Sequence, residues 1–420
     1  MTGILQRLHG LSQGPIARAT VRTSAVLGLR LVAQAATLLI VARMLGPASF
    51  GAFAGMASLA VVLGALTTFG THLLLLREVS SAPDAPPVWL ARALATSLVC
   101  GTLLLLGYLT LTLPWLRPPG MQVSALVAIG ISDILALPLL LLPASMRQGM
   151  GQIARSQLLI VLPQGLRLVA ACAVLVWQPA DVLTAYAHAY ALAALACLPI
   201  AARTLPHGLP PWREWRLPSL SQWRETSGFA ALNLSAMGPS ELDKTVAMRL
   251  IPATAAGTYA AGTRVLGPLV LPVLAMMLSA LPRLFREHAG GTHSTRLFRA
   301  TLLVALLYGM LAAVTLWLAA PFFVWLFGTR YAGLATTLHW LALAVPGLAL
   351  WNVVSNLLLT HNHAWMRFGI EIGGLLTMGG AAFLLRGHAE RGMALALAGA
   401  EYAMVLLGLL ILWKTQKIQT

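Results

Sequence analysis

The sequence predicts an all-α protein that crosses a membrane many times. Hydrophobic residues make up 58% of the 420 residues and charged residues only 10%, and the mean hydropathy is +0.80. Apolar runs of about 20 residues, the length that crosses the hydrocarbon core as a helix, fill almost the whole chain. No soluble core could bury so much apolar sequence beneath so few charges.

Twelve such runs are separated by turn signals such as Gly46-Pro47, Pro86-Pro87 and Gly290-Gly291. We predict membrane spans at 20–43, 50–75, 88–112, 121–143, 156–177, 181–202, 224–249, 254–281, 297–320, 334–360, 367–386 and 392–413. Only one connection is long and polar, and it lies at 203–223. The predicted organisation is an N-terminal lobe of six helices (1–202), a linker (203–223) and a C-terminal lobe of six helices (224–420).

The net charge of +16 comes from basic residues in short loops between apolar helices. This distribution follows the positive-inside rule and does not indicate a nucleic-acid-binding surface. Eighteen of the 28 basic residues fall on the side of the two termini, which predicts that both termini are cytoplasmic. The six basic residues assigned to the outer side are Arg43, Arg117, Arg249, Arg330, Arg386 and Arg391.

The linker interleaves Trp212, Trp215 and Trp223 with arginines. Tryptophan beside cations is typical of a segment that lies on the inner membrane surface, so we predict an amphipathic linker there. A solvated linker is the simpler alternative.

The two predicted lobes share a weak internal repeat. The segment VARMLGPASFGAF (41–53) aligns with VAMRLIPATAAGTY (246–259) when one-residue gaps are allowed. An Arg-Glu pair follows each segment, at 77–78 and 286–287, in a basic inner loop. Because six spans return the chain to the same side, the two halves would be parallel repeats about an axis along the membrane normal. Transporters built in this way bind their cargo between the halves, so the prediction includes a central cavity.

Three arginines lie well inside apolar spans: Arg30, Arg167 and Arg264. A cation at the bilayer centre costs about 2.5–3.5 kcal/mol, so each needs compensation. Gln34 follows Arg30 by four residues and continues a polar stripe on its helix. A guanidinium group binds two oxygens of a diphosphate at once, which predicts an anionic cargo in a cationic cavity. The alternative is that an intramembrane acid neutralises each arginine.

The acids within spans are Asp133, Glu241, Asp243, Glu371 and Glu401. Span seven also carries Asn233, and Gly238-Pro239 is expected to kink it or break its hydrogen bonds. A broken span with acids predicts a Na⁺ or H⁺ coupling site at Asn233, Glu241 and Asp243, with Asp133 as a further member. The alternative is an ordinary Asp243–Arg249 or Glu241–Lys244 ion pair.

Enzymatic chemistry finds little support in the sequence. His361 and His363 are too close together for a helical zinc motif, and no Walker loop is present. We therefore predict no catalytic residues, no bound metal and no cofactor beyond a coupling ion.

Residues 30–80 contain the pattern A-R-x-L-G-P-x-x-F-G, a helix of small residues, then F-G and R-E. Residues 242–287 contain an acid and base pair, then G-x-Y-x-A-A-x-R and a closing P-R. These segments resemble the bacterial polysaccharide exporters, the O-antigen-type lipid-linked oligosaccharide flippases of the multidrug/oligosaccharidyl-lipid/polysaccharide (MOP) superfamily.

The resemblance implies two six-helix lobes around a cavity that opens alternately to each side of the bacterial inner membrane. It also implies a cargo glycan on undecaprenyl diphosphate, with Arg30 and Arg264 at positions where the family carries cavity arginines. Partner glycan polymerases and glycosyltransferases would follow from that function. The alternatives are a cation-coupled multidrug antiporter of the same fold, a flippase for the lipid-linked peptidoglycan precursor, and, from another class, a membrane-embedded glycan polymerase or ligase.

Overall fold

The computed structural model describes residues 15–82, 88–206, 208–289, 295–360 and 363–419, and the regular structure within these ranges is helical throughout. The α-helices in chain order are α1 (Pro15–Thr67), α2 (Thr71–Ser81), α3 (Val88–Leu111), α4 (Val123–Gly130), α5 (Leu137–Gly149), α6 (Ile153–Trp177), α7 (Val182–Arg203), α8 (Leu220–Leu250), α9 (Ala253–Ala289), α10 (Thr295–Phe327), α11 (Leu334–Ala342), α12 (Val345–Thr360), α13 (Ala364–Leu384) and α14 (Ala389–Gln419). Two π-helical turns, Thr112–Leu116 and Ile131–Ala136, extend α3 and join α4 to α5.

The helices confirm the predicted all-α membrane class. In the described ranges, eight helices are long and apolar enough to cross a membrane, and α11 with α12, bent by 43°, makes a ninth span. Helix α1 counts once in that total, but its 53 residues cover the first predicted span and the greater part of the second, which continues into α2. Helices α8 and α13 coincide with predicted spans seven and eleven but are not among the spans counted above. Each predicted span therefore lies on helical structure, although 50–75 crosses the turn at 68–70 and 334–360 crosses the break between α11 and α12.

Two glycine and proline signals behave differently in the structure. At Gly46, followed by Pro47, the backbone takes φ 71° and ψ 168°, a kink that interrupts α1 where the sequence predicts a turn. At Gly238-Pro239 the helix is not interrupted, because α8 runs continuously from Leu220 to Leu250. Span seven is therefore a single helix in the structure, and the kink expected at this pair stays a prediction.

The chain forms two compact units. The first contains Leu63–Ala230 and the residues up to Met44, and the second contains Leu45–Val62 and Ala231–Thr420. Leu75, Leu90 and Leu142 are buried in one core of the first unit. Met277 and Leu357 are buried in the core of the second. The predicted lobes, 1–202 and 224–420, divide the chain differently, because the structure places Leu45–Val62 with the C-terminal helices. They remain predictions.

The two repeated segments touch one another inside the second unit. A Cβ atom built on Gly51 would lie 2.6 Å from the Gly257 nitrogen, and one built on Gly257 would lie 1.7 Å from the Pro47 carbonyl oxygen. Gly51 and Gly257 occupy matching places in the repeat when a one-residue gap is allowed. Small residues allow helix backbones to approach closely, which explains why both segments carry glycine here.

Replacing Gly257 with alanine is expected to destabilise the second unit. The new methyl group overlaps the Pro47 carbonyl, and forcing extra volume into a packed interface costs about 1–3 kcal/mol or more. Gly267 lies on the same helix with nothing within 4 Å of a built Cβ, so Gly267→Ala is the matched control. Thermal unfolding of the purified protein should show a lower midpoint for Gly257→Ala only. Equal midpoints for the two variants would contradict this packing.

The linker region contains little regular structure. A single 3₁₀ turn, Trp212–Glu214, follows Pro211, and the Trp215 indole nitrogen donates a hydrogen bond to the Pro210 carbonyl at 3.0 Å. Four large apolar side chains are exposed here: Leu209, Trp212, Leu217 and Leu220. The amphipathic character predicted for the linker is consistent with these exposed apolar groups, and its position on a membrane stays a prediction.

Candidate functional site

Arg30 and Gln34 occupy one stripe of α1, as the four-residue spacing predicts. Both side chains are half-buried. No acidic side chain in the described part of the chain forms an ion pair with Arg30. Thr37 does not extend this stripe as a free polar group, because its hydroxyl donates to the Ala33 carbonyl at 2.7 Å. Among the described residues, therefore, no acid compensates the positive charge of Arg30 on this apolar helix.

Arg167 lies in a different environment, within the interior of the first unit. Its Nη2 atom lies 2.7 Å from Asp133 Oδ1 and donates to Ser132 Oγ at the same distance. Its guanidinium carbon stacks over the Tyr190 ring at 3.5 Å from the centroid. The Tyr190 hydroxyl donates to Asp133 Oδ2 at 2.9 Å. Buried charges persist when they are paired and hydrogen-bonded, and this network meets both conditions.

The backbone around Asp133 is adapted to hold this network. Asp133 lies on the π-helical turn Ile131–Ala136, where the wider turn leaves carbonyl groups outside the regular hydrogen-bond pattern. The Thr67 hydroxyl donates to the Ile134 carbonyl at 2.7 Å. A Cβ atom on Gly64 would lie 2.1 Å from the Asp133 carbonyl oxygen, so α1 can pass this turn closely only with glycine there. These contacts fix the position of the acid.

The roles predicted for Arg167 and Asp133 remain predictions, but their geometry favours the neutralisation alternative. Arg167 is 5% exposed and Asp133 is 2% exposed, so neither side chain offers its charge to a ligand in this conformation. The Nε atom of Arg167 has no hydrogen-bond partner in the described structure. The guanidinium contacts Ser132, Asp133 and Tyr190.

Arg264 combines pairing with exposure in the second unit. Its Nη1 and Nη2 atoms lie 3.1 Å and 3.2 Å from the two carboxylate oxygens of Glu241, a bidentate arrangement. Ser58 donates to Glu241 Oε2 at 3.0 Å. The Arg264 side chain is 37% exposed, in contrast to the 6% of Arg167. A second anion can therefore reach the Arg264 guanidinium without dismantling a core.

Asp243 and Lys244 form a buried pair beside this site. The Lys244 ammonium lies 2.9 Å from Asp243 Oδ1 and 3.5 Å from Glu241 Oε2, and it donates to the Ser240 carbonyl at 2.6 Å. The Tyr259 hydroxyl donates to Asp243 Oδ2 at 3.1 Å. The Glu241–Lys244 pair that the sequence offered as an alternative is thus present, and Lys244 takes the place of Arg249 as the partner of Asp243.

Asn233 is half-buried on α8, about two turns before Glu241. The coupling roles predicted for Asn233, Glu241 and Asp243 remain predictions. Both acids are engaged by cations in this structure.

Sequence reasoning gave Glu371 and Glu401 no role beyond neutralising an arginine. In the structure Glu371 accepts from Arg367 Nε at 2.9 Å, one helical turn away on α13. Glu401, on α14, is 4% exposed, and its Oε2 atom has no hydrogen-bond partner in the described structure. Both acids were visible in the sequence as charges within apolar spans, but their different pairing was not.

The comparisons with known proteins identify the family. A family model described as polysaccharide biosynthesis protein matches residues 17–288 of this chain, more than half of its length. The chain belongs to this family. No curated protein sequence gives a match.

Solved structures establish the fold of this polysaccharide biosynthesis protein. It is similar to an inward-facing multidrug resistance MATE family transporter of the MOP superfamily, with a TM-score of 0.70 and 17% identity over 95% of this chain and 98% of that chain. The outward-facing form of such a transporter gives a TM-score of 0.64 at 16% identity and covers 97% of both chains.

A MOP superfamily transporter from Pyrococcus furiosus gives a TM-score of 0.63 at 16% identity and covers 95% of both chains. Its description states that a reversed polarity of its binding pocket suggests a different function. The fold of this chain is therefore that of MOP superfamily transporters.

Proposed function

We propose that this protein is a flippase that moves an undecaprenyl-diphosphate-linked oligosaccharide from the inner to the outer leaflet of the bacterial inner membrane. Membership of the polysaccharide biosynthesis family and the transporter fold both support this proposal. It treats the chain as a transporter without catalytic residues. Glycosyltransferases would supply the lipid-linked glycan, and a glycan polymerase would consume it on the outer side.

The observation that carries the proposal is the state of Arg30. A guanidinium on an apolar helix, with no acidic partner in the described part of the chain, is costly in a membrane, and a bound anion would compensate it. A diphosphate provides that compensation whatever sugar is attached to it, and the guanidinium fork matches its oxygens. Gln34, one turn further along α1, supplies a neutral donor for the same anion.

Arg264 supplies the equivalent charge in the second unit. Its pairing with Glu241 keeps the guanidinium neutralised when no cargo is present, and its exposure allows a diphosphate to displace that carboxylate. We propose that Arg30 and Arg264 each contact the diphosphate during transport. Arg167 is assigned a structural role, because its charge is enclosed with Asp133.

The second candidate is a multidrug antiporter, which the description of the MATE relative suggests. An organic cation needs an accessible acid. Asp133, Glu241, Asp243 and Glu371 are held by basic side chains in the described structure, and Glu401 is buried. In the Arg264–Glu241 pair, the arginine side chain is the more exposed partner, at 37% against 18%, which favours an anionic cargo.

Orientation is part of the proposal. Both termini are placed in the cytoplasm on the basis of the basic loops, so the linker at 203–223 lies on the inner side. Its exposed tryptophan and leucine side chains, next to Arg213 and Arg216, suit the anionic inner leaflet.

Depletion of the protein in its native host tests the function. We expect complete lipid-linked oligosaccharide to accumulate in the inner leaflet, measured by its protection from an added glycosidase in right-side-out vesicles. Susceptibility to cationic dyes should not change, since organic cations are not the cargo. If the glycan remains accessible at the outer face while dye efflux falls, the chain is an antiporter and the flippase proposal is wrong.

A further inference from the structure

Glu401 is a buried acid that the proposed diphosphate site does not use. It lies in the middle of α14, within a helix long and apolar enough to span a membrane. The side chain is 4% exposed, and the described structure offers no hydrogen-bond partner to its Oε2 atom. Gly347 of α12 packs against it, since a Cβ built on that glycine would lie 3.0 Å from the Glu401 Cβ.

The groups that face Glu401 do not supply a positive charge to it. Helices α9, α11, α12 and α13 pack against α14. The ionisable groups close enough to act electrostatically on Glu401 are Glu371 on α13, Asp243 on α8 and Tyr259 on α9. Helix α12 carries no ionisable side chain, and His339 of α11 is stacked on Trp317 at 4.3 Å. The groups that act electrostatically on Glu401 are therefore two carboxyl groups and a phenol, and none of them is a cation.

The cations of this region are engaged by other acids. Arg367 binds Glu371, and Lys244 lies between Asp243 and Glu241, so neither forms an ion pair with Glu401. The buried cluster thus contains one carboxyl group more than the cations can neutralise. Glu371 Oε2 is also buried without a hydrogen-bond partner in the described structure. An ionised Glu401 would add a second buried carboxylate oxygen in that condition.

An isolated ionised carboxylate in an apolar interior is far more costly than its neutral acid, so such a group takes up a proton. A metal ion is the other means of neutralising it. In the described residues, however, no three His, Cys, Asp or Glu side chains come together in a way that could hold a metal. A proton needs no such set of ligands, so the buried, unpartnered Oε2 atom fits a protonated acid.

We propose that Glu401 is a proton-binding site that is occupied in this conformation and releases its proton when transport rehydrates it. Glu401 is not one of the residues assigned to the diphosphate, and its proton would make transport respond to a pH gradient. Its role in transport rests on the proposed flippase function, whereas the presence of the proton does not.

Infrared spectroscopy of the full-length protein in lipid nanodiscs tests the site without any cargo. A protonated carboxyl group absorbs apart from carboxylates, and the wild type should show this band at neutral pH. Glu401→Gln should lose it completely. Glu371→Gln should keep it, since Glu371 is paired with Arg367, and so should Glu214→Gln in the exposed part of the linker.

Three results would overturn the proposal. They are a band that persists in Glu401→Gln, a band lost only in Glu371→Gln, and a band that disappears when sodium chloride replaces choline chloride, which would assign the site to a metal cation. If Glu401→Gln does not fold, Glu401→Asp serves instead. The aspartic acid band should then shift in frequency, and an unshifted band would contradict the assignment.

Transport in proteoliposomes tests the consequence. The Glu401→Gln variant mimics the permanently protonated acid, so its flipping rate should no longer respond to a pH gradient, while the wild type responds. A normal response in the variant would overturn the coupling role. Absence of glycan flipping by the wild type would instead overturn the flippase proposal, and the infrared result would be unaffected.

Discussion

Replacing Arg264 with alanine is expected to reduce glycan export at least about tenfold while the protein still inserts into the membrane. A hydrogen bond to a charged group contributes about 1.5–3 kcal/mol, and each 1.4 kcal/mol is a factor of ten. The loss affects cargo directly, because the 37% exposed guanidinium is the accessible half of its pair with Glu241. Arg30→Ala should have a similar effect.

Conservative variants distinguish a cargo contact from a general defect. Arg264→Lys should restore part of the export, because it returns the charge but not the two-oxygen fork, and Arg264→Glu should be worse than alanine. Glu241→Gln should not abolish export, since it removes a competitor for the guanidinium. Arg249→Ala, at an exposed position on α8, is the matched control. Export is measured as surface glycan at equal protein level. Wild-type export by Arg264→Ala and Arg30→Ala would contradict the anionic-cargo account.

Breaking the Asp133–Arg167 pair is expected to have the largest effect on stability. Removing one partner of a buried ion pair leaves the other charge uncompensated and costs about 3–5 kcal/mol. Asp133→Asn and Arg167→Ala should therefore both unfold at much lower temperature than the wild type. Thermal unfolding of the purified protein measures this directly.

The double variant Asp133→Leu with Arg167→Met separates structure from function. Well-packed apolar residues of similar volume often replace a buried pair without loss, so its stability should recover relative to either single variant. Export should recover with it if Arg167 has only the structural role proposed above. A stable double variant without export would restore Arg167 to the cargo site.

The class of fold can be predicted from the sequence because each membrane span depends on the residues of its own segment. Apolar length, turn residues and the placement of basic loops are properties of single segments, and each predicted span lies on helical structure. Likewise, Arg30 and Gln34 share a stripe because four residues make about one helical turn.

The partners of the intramembrane charges could not be read from the sequence. Arg167 meets Asp133 across 34 positions in the chain, and Arg264 meets Glu241 across 23. Such pairing depends on helix packing, which apolar sequences of uniform composition do not specify. The continuous α8 has a similar origin, because neighbouring helices and polar side chains can satisfy the groups that a proline leaves free within a membrane helix. That the Glu401 Oε2 atom has no partner in the described structure becomes visible only after its neighbours are placed.

Binding of a short polyprenyl diphosphate to the purified protein would show whether Arg30 and Arg264 recognise the diphosphate. Native mass spectrometry can compare farnesyl diphosphate with farnesol for the wild type, Arg30→Ala and Arg264→Ala. We expect the wild type to prefer the diphosphate and each variant to lose this preference while still binding farnesol. Equal binding of the two lipids by the wild type, or an undiminished preference in both variants, would contradict the conclusion that these arginines recognise the diphosphate.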